Sequence, residues 1–228
     1  LGLGRVVSLA AVIGVLNVFL LTALATLTSL AADTIPASTG AGISLLDERG
    51  TRTTSAATDA LVAELDDLQY ELDEGPCLTA WRERTVVRSG GPEEQRWPEW
   101  LRRSRTLGLR SYASAALLSG DDALGAIKVY STEDGAYDDR DVDLLRRFAL
   151  QAAIFVANVR THQAAERLSE GLKETLRARD LVATARGIIM ARNRIGPGEA
   201  FQELIAESHR SRRPLHEVAT SLVASATD

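Results

Sequence analysis

Arg179-Asp-Leu-Val-Ala-Thr-Ala-Arg-Gly-Ile-Ile-Met-Ala-Arg-Asn193 carries the reading from which the rest of the chain is organised. Leu181, Ala185, Ile188 and Ile189 fall at the three-and-four spacing of one helix face, with Arg186, Arg192 and Arg194 mostly away from it. Two further apolar faces follow: Ala200, Phe201, Leu204 and Ile205, then Leu215, Val218, Ala219 and Leu222. Three such faces close a small core, although a module of this size is marginal without outside support. Pro214 sharpens the start of the last helix. From Arg177 to Glu217 eight Arg stand against five acids, a local balance near +3, so the rest of a chain of net charge −5 carries about −8. A basic patch on an acidic body suits an anionic partner.

Upstream, the pattern changes period. Val6–Ala32 holds no charge and is long enough for a membrane span. Within it Leu16, Leu20, Ala23, Leu27 and Leu30 step by four and three, while Thr22, Thr26 and Ser29 form a polar stripe. That pattern favours a packing helix; Val6–Leu21 keeps a membrane anchor open as the alternative. The chain opens on Leu-Gly without an initiator Met, as a fragment would. Ala41–Leu46 and Thr51–Ala57 are expected as strands around a polar turn ending at Gly50, and Thr58–Leu72 as a helix. Gly75-Pro76 breaks that helix, and Cys77 opens a new helical turn. Thr85–Arg88 is a short strand, Gly90-Gly-Pro92 a loop, and Arg96–Leu107 a helix capped by Gly108. Ser111–Leu118 and Ala123–Tyr130 read as an apolar hairpin across Ser-Gly-Asp-Asp. This order predicts an α+β domain on an antiparallel sheet flanked by helices.

Asp138–Asp141 starts a helix. Leu145, Phe148, Ala152, Phe155 and Val159 then form a second heptad seam, polar residues follow over Thr161–Glu166, and Leu168, Leu172 and Leu176 resume it. No Pro occurs from Asp138 to Ile195, so one long coupling helix, or two in line, is expected. The two seams predict a parallel homodimer through the Leu16–Leu30 and Val142–Val159 helices.

Several classes of chemistry find no footing. Cys77 is the single cysteine and only three His are present, which excludes an intrachain disulfide and argues against a metal site or metal cofactor. There is no phosphate-binding glycine loop, no Gly-x-Ser-x-Gly and no His-Glu-x-x-His, so an enzyme is not expected. The acid pairs Asp66-Asp67 and Asp138-Asp139 read as solvated turns and helix ends. Cys77 reads as a packing residue, since Asp73 and Glu74 disfavour a thiolate. Trp81 and Trp97 are candidates to line a small-molecule pocket with Cys77, or else core mass.

Two resemblances sharpen these expectations. Gly40–Leu46, Leu68–Leu72, Gly75-Pro-Cys77, Arg96-Trp-Pro98, Gly108–Ser111 and Leu124-Gly-Ala126 before Val129-Tyr130 give Leu16–Val159 a resemblance to a GAF domain. It is of the kind found ahead of ANTAR domains in actinobacterial antitermination regulators. Ala185–Met190, Glu199–Phe201, Leu204, Ser208, Arg210–Arg213, Leu215 and Val218-Ala219 resemble an ANTAR domain, with Arg186 where Lys is commoner. The resemblances imply a GAF-like sensor and dimerisation domain over 16–160, a helical linker over 161–176 and an ANTAR-like three-helix RNA-binding domain over 177–228, with 1–15 an apolar lead-in. They imply a cytoplasmic, signal-responsive regulator that binds stem-loops in nascent RNA. Its expected RNA contacts are Arg186, Gly187, Arg192, Ser208, Arg210, Arg212 and Arg213. The alternative is a protein-interaction or dimerisation module with a ligand-binding GAF domain and no RNA contact.

Overall fold

The computed structural model describes residues 9–46, 51–89 and 94–227. The turn at 47–50, the loop at 90–92 and the first apolar residues, Val6–Ser8, lie outside them. The helices and strands run α1 Leu9–Thr34, β1 Gly40–Leu46, β2 Arg52–Ala57, α2 Ala60–Leu72, α3 Pro76–Glu83, β3 Val86–Ser89, α4 Pro98–Thr106, β4 Ser111–Ser119, β5 Asp122–Ser131, α5 Asp139–Asn193, α6 Pro197–Ser211 and α7 Leu215–Thr227. The chain divides into two compact units, one up to His162 and one from Gln163 onward.

The first unit is the expected α+β fold. Its five strands pair antiparallel in the order β2-β1-β5-β4-β3. Successive strand side chains point to opposite faces, and both faces here are covered. Ala41 and Ile43 of β1, Ala113, Ala115 and Leu117 of β4, and Ile127 and Val129 of β5 pack with α1 and α5. Tyr112 and Tyr130 point the other way, into a second core with α2, α3 and α4 built on Leu65, Trp97 and Trp100.

The Leu145–Val159 stripe packs on this sheet, whereas the Leu16–Leu30 stripe meets it only in part, through Leu20 and Leu27, with Leu30 47% exposed. Leu145 and Ala152 are 0% exposed and Val159 6%, all in the core beneath α5. On α1 Leu20, Leu24 and Ala31 are buried in the same core, while Thr22, Thr26 and Ser29 face solvent. The expectation that the Leu145–Val159 stripe is the seam between two copies is therefore corrected: its own sheet takes it. Over fifteen residues a 3.5-residue repeat and a 3.6-residue repeat drift apart by too little to separate a coiled-coil seam from a core face. Asn17–Thr34 has the length and composition of a membrane span, yet one face of it belongs to this core.

The second unit comprises the C-terminal part of α5 with α6 and α7. Ala185, Ile189, Ala200, Leu204, Val218 and Ala219 form its buried core, with Leu181, Leu215 and Leu222 packed against it. Pro197 occupies the first turn of α6, and the Glu199 carboxylate accepts the Gly196 N–H at 3.2 Å. From Arg160 to Thr184 no residue is buried.

Gly42 is a tight point of the sheet interior. Its register partner across β1 and β5 is Lys128, and a Cβ on Gly42 would lie 2.5 Å from Lys128 Cε and 2.7 Å from Val62 Cγ1. Gly42→Ala is expected to lower stability by about 1–3 kcal/mol, the range for overpacked cores. Urea denaturation of the full chain measures it; an unchanged midpoint would show that Lys128 and Val62 have room to give.

Candidate functional site

Two groups of residues carry chemistry, one in each unit. In the first, β5 places Lys128 on the α2–α4 face of the sheet, between Gly42 of β1 and Ser114 of β4. α2 presents Val62, Leu65, Asp66 and Gln69 on one buried face. Lys128 Nζ forms an ion pair with Asp66 Oδ2 and lies 2.7 Å from Ser44 Oγ. Ser44 Oγ donates to Asp66 Oδ2 at 3.2 Å, and Gln69 Nε2 donates to Asp66 Oδ1 at 3.3 Å and to the Tyr130 hydroxyl at 3.1 Å. Asp66, Gln69 and Lys128 are all 0% exposed. The reading of Asp66 as part of a solvated acid pair is thus overturned: a carboxylate on the buried face of α2 is held there by an ammonium on the sheet.

Cys77 closes this network. Gly75, at φ +134°, lets the chain turn onto the Gln69 side chain, which a Cβ would strike at 2.4 Å. Pro76 then opens α3, and the Cys77 N–H donates to Gln69 Oε1 at 2.9 Å, satisfying a free donor at the helix start. Burial pushes the Cys77 thiol up from its ordinary value, and the nearby Lys128 ammonium only partly opposes this. For Lys128 the balance reverses. Burial, the largest single effect, disfavours the ammonium, but the Asp66 carboxylate together with Cys77 and Tyr70 overcomes it and raises Lys128 above its ordinary value. Tyr130 is pushed up, chiefly by burial.

The two tryptophans are committed elsewhere. Trp81 Nε1 donates to the Ala123 carbonyl at 3.0 Å, tying α3 to the start of β5. Trp97 is buried, donates to Thr79 Oγ1 at 2.9 Å, and packs edge-on against Trp100 and Tyr112. Arg96 lies over its ring at 4.5 Å. Both indole N–H groups and the Cys77 backbone N–H therefore have protein partners. The structure does not set Cys77, Trp81 and Trp97 out as one group of free polar contacts for a ligand. Among the described residues no cluster of His, Cys, Asp and Glu could hold a metal ion.

In the second unit the cations divide into engaged and free. Arg186 and Gly187 are exposed on α5, and Arg212 is exposed in a left-handed conformation (φ 53°) just past α6. Neither Arg forms an ion pair among the described residues. Arg192 also lacks one, but it sits with Ile188, Glu203, Leu204 and Arg210 along the groove between α5, α6 and α7, not away from the apolar face as the spacing suggested. Arg210 pairs with Glu207 at 2.9 Å. Arg213 reaches along α7 to Glu217 at 3.3 Å and to Ser221 Oγ at 2.9 Å. The Ser208 hydroxyl donates to the Arg213 carbonyl at 2.6 Å, and the Arg213 N–H donates to the Ser208 carbonyl at 3.2 Å. Ser208 and Arg213 thus shape the α6–α7 turn and hold Arg212 outward on it.

Two family models match: a GAF domain over residues 17–157 and an ANTAR domain over residues 170–223. No curated protein matches the chain. Among solved structures, the GAF domain region of a putative membrane protein from Geobacter sulfurreducens PCA is 18% identical at TM-score 0.54, over 64% of this chain and 97% of that one. A GAF domain/HD domain protein from Geobacter sulfurreducens is 16% identical at TM-score 0.53, over 65% and 98%. Both support the fold of the first unit. A type II free methionine-R-sulfoxide reductase from Thermoplasma acidophilum, 17% identical over 63% and 96%, reaches TM-score 0.47, too distant to carry its reaction to this chain.

Cys77, 2% exposed and with its thiol shifted upward, has an expected behaviour of its own. In the native full chain an aromatic disulfide reagent at neutral pH should modify it at least about a hundredfold more slowly than in urea, because both access and thiolate are suppressed. Stoichiometric labelling of the folded protein within seconds would contradict the burial.

Proposed function

The chain belongs to the GAF domain family, and from that premise we propose a signal-responsive regulator whose C-terminal bundle binds RNA stem-loops and controls transcription termination. GAF and ANTAR domains are both present. ANTAR domains are RNA-binding antiterminators and GAF domains sense small molecules; both are generally regulatory and not enzymatic. The observation that carries the proposal is the ANTAR match lying on the bundle that exposes Arg186 beside Gly187 and Arg212 on the α6–α7 turn. Guanidinium groups without protein partners are available to phosphate, and a glycine beside one lets backbone approach closely. Arg192, Arg210, Arg213 and Ser208 stay within the proposed interface, the last two chiefly through the turn they hold.

The regulator works in the cytoplasm as a homodimer. α5 begins inside the GAF match and ends inside the ANTAR match as one helix, Asp139–Asn193. Its Thr161–Glu166 stretch is the proposed two-state element through which a signal changes the helix's register or order. The signal itself is a small molecule of a class the residues do not name.

The test is a double substitution, Arg186→Gln with Arg212→Gln, in the full chain. Both side chains are exposed, so far-UV dichroism should be unchanged. Affinity for a two-hairpin RNA should fall, and the slope of log affinity against log salt should flatten by about two, roughly one per phosphate contact removed. Unchanged affinity and slope would sink the RNA assignment and favour a protein-docking bundle.

A further inference from the structure

The groove between α5, α6 and α7 has a floor and a rim of opposite character. Leu204 and Val218 lie buried beneath it as part of the bundle core, while Ile188 and Leu222 are half-buried at its surface. The cavity measures about 520 Å³, a size that suits a small flat group. Its rim is polar and partly committed. Asn193 Nδ2 donates to Glu203 Oε2 at 2.8 Å, and Arg210 pairs with Glu207 at 2.9 Å. Arg192 lines the same groove, is exposed, and forms no ion pair among the described residues.

A phosphate is a poor occupant of this place. The apolar floor offers it no donor, and the Glu203 and Glu207 carboxylates repel it. An unpaired nucleobase meets each condition. Its faces are flat and weakly polar, which suits Ile188 and Leu222 on one side and a guanidinium plane on the other, and its edge carries the hydrogen-bonding groups. No aromatic residue is among the described residues of the lining, so stacking falls to a guanidinium, and Arg192 is unpaired. Carboxylates only accept, so Glu203 and Glu207 favour an edge bearing an exocyclic amine, which adenine, cytosine and guanine have and uracil lacks. The groove also continues the proposed phosphate contacts. Arg186 precedes Asn193 by seven residues, two turns back along one side of α5.

We propose that this groove seats one unpaired RNA loop base, stacked between Arg192 and the Ile188–Leu222 floor, with its amino edge toward Glu203 and Glu207. The inference rests on the RNA-binding reading of the preceding section and deepens it. Arg186 and Arg212 hold phosphates, which position the RNA, whereas Arg192 holds a base and so carries sequence. An apolar helix of a protein partner would also suit the floor, but the excess of Arg over acids from Arg177 to Glu217 favours the anionic occupant.

The experiment uses the full chain and a two-hairpin RNA selected on it from a library with randomised loops. Each loop position is replaced in turn by an abasic nucleotide, and every RNA is measured against the wild type and Arg192→Lys. Lysine keeps the charge and loses the plane. One abasic position should lower affinity roughly five- to hundredfold, the span for a stacked base, with the slope of log affinity against log salt unchanged. Uracil at that position should bind more weakly than the selected base. Arg192→Lys should weaken binding of the intact RNA by a similar factor at unchanged slope, and should cost little once the seated base is absent. Its far-UV dichroism should match the wild type, because the side chain is exposed. An Arg192→Lys form that binds the intact RNA as tightly as wild type makes Arg192 a phosphate contact and overturns the base seat while the RNA reading stands. A loop in which no abasic position costs affinity does the same. If the wild type enriches no RNA at all, both are overturned, and a protein helix is left as the occupant of the groove.

Discussion

A lysine ammonium and an aspartate carboxylate, both fully buried, face each other across the α2–sheet interface of the GAF domain. Much of that interface follows from accommodating them. Removing two charges from water costs several kcal/mol per ion, and attraction recovers it only when the remaining lone pairs and protons are also satisfied. Ser44 and Gln69 supply those partners, the Tyr130 hydroxyl accepts from Gln69 in turn, Gly42 leaves the space, and Gly75 bends the chain so that Gln69 can also cap α3. The pair therefore fixes which face of β5 looks toward α2. A one-residue slip of β5 would send Lys128 into the apolar layer under α1 and α5, leaving two unpaired charges.

The network also bears on sensing. GAF domains sense small molecules, and here the α2–α4 side of the sheet holds a network in which each donor named above has a protein acceptor. A ligand that reached it would have to replace bonds already made. Trp81 and Trp97 add to that side as packing and as ties between elements, through the Ala123 carbonyl and Thr79. Any signal received on this side must therefore compete with the Asp66–Lys128 pair or act at its margins.

The sequence pattern revealed the architecture far better than the interior chemistry. Period-two runs and the Ser-Gly-Asp-Asp turn were enough for the β4–β5 hairpin, and the lack of Pro from Asp138 to Ile195 allowed a single long helix. Lys128 does not stand out in the sequence, because one charge inside the apolar run Ala123–Tyr130 does not disturb its alternation. Asp66 reads as solvent-facing beside Asp67, although Val62, Leu65, Asp66 and Gln69 fall at the spacing of one helix face. That spacing was the available signal. The place of Arg192 is hidden for the converse reason: beyond the last apolar residue of a helix, angular position alone does not say where the next helix packs. Arg186 and Gly187 needed no tertiary knowledge, because at about 100° per residue Arg186 falls to the side of the Ala185–Ile189 face and Gly187 opposite it. The Leu145–Val159 row is legible as an apolar stripe, but not as a core face in preference to a seam. Only the position of the sheet decides which it is.

That decision constrains how a signal can travel. Inside the GAF domain α5 is held by Leu145, Ala149, Ala152, Val156 and Val159, each 6% exposed or less. Its start is tied by Arg88, which donates to the Tyr137 carbonyl at 3.1 Å and pairs with Asp139 at 3.0 Å. Turning the helix by one residue, about 100°, would lift that apolar row out of the core and drive polar neighbours in. The cost of that exchange far exceeds the few kcal/mol by which a ligand's differential binding shifts an equilibrium. Rotation of α5 within the GAF domain is thus a poor carrier. The stretch from Arg160 to Thr184 has no buried residue to oppose a change, so a small bias there moves the helix furthest. The freedom of α5 therefore begins where the core of the GAF domain ends.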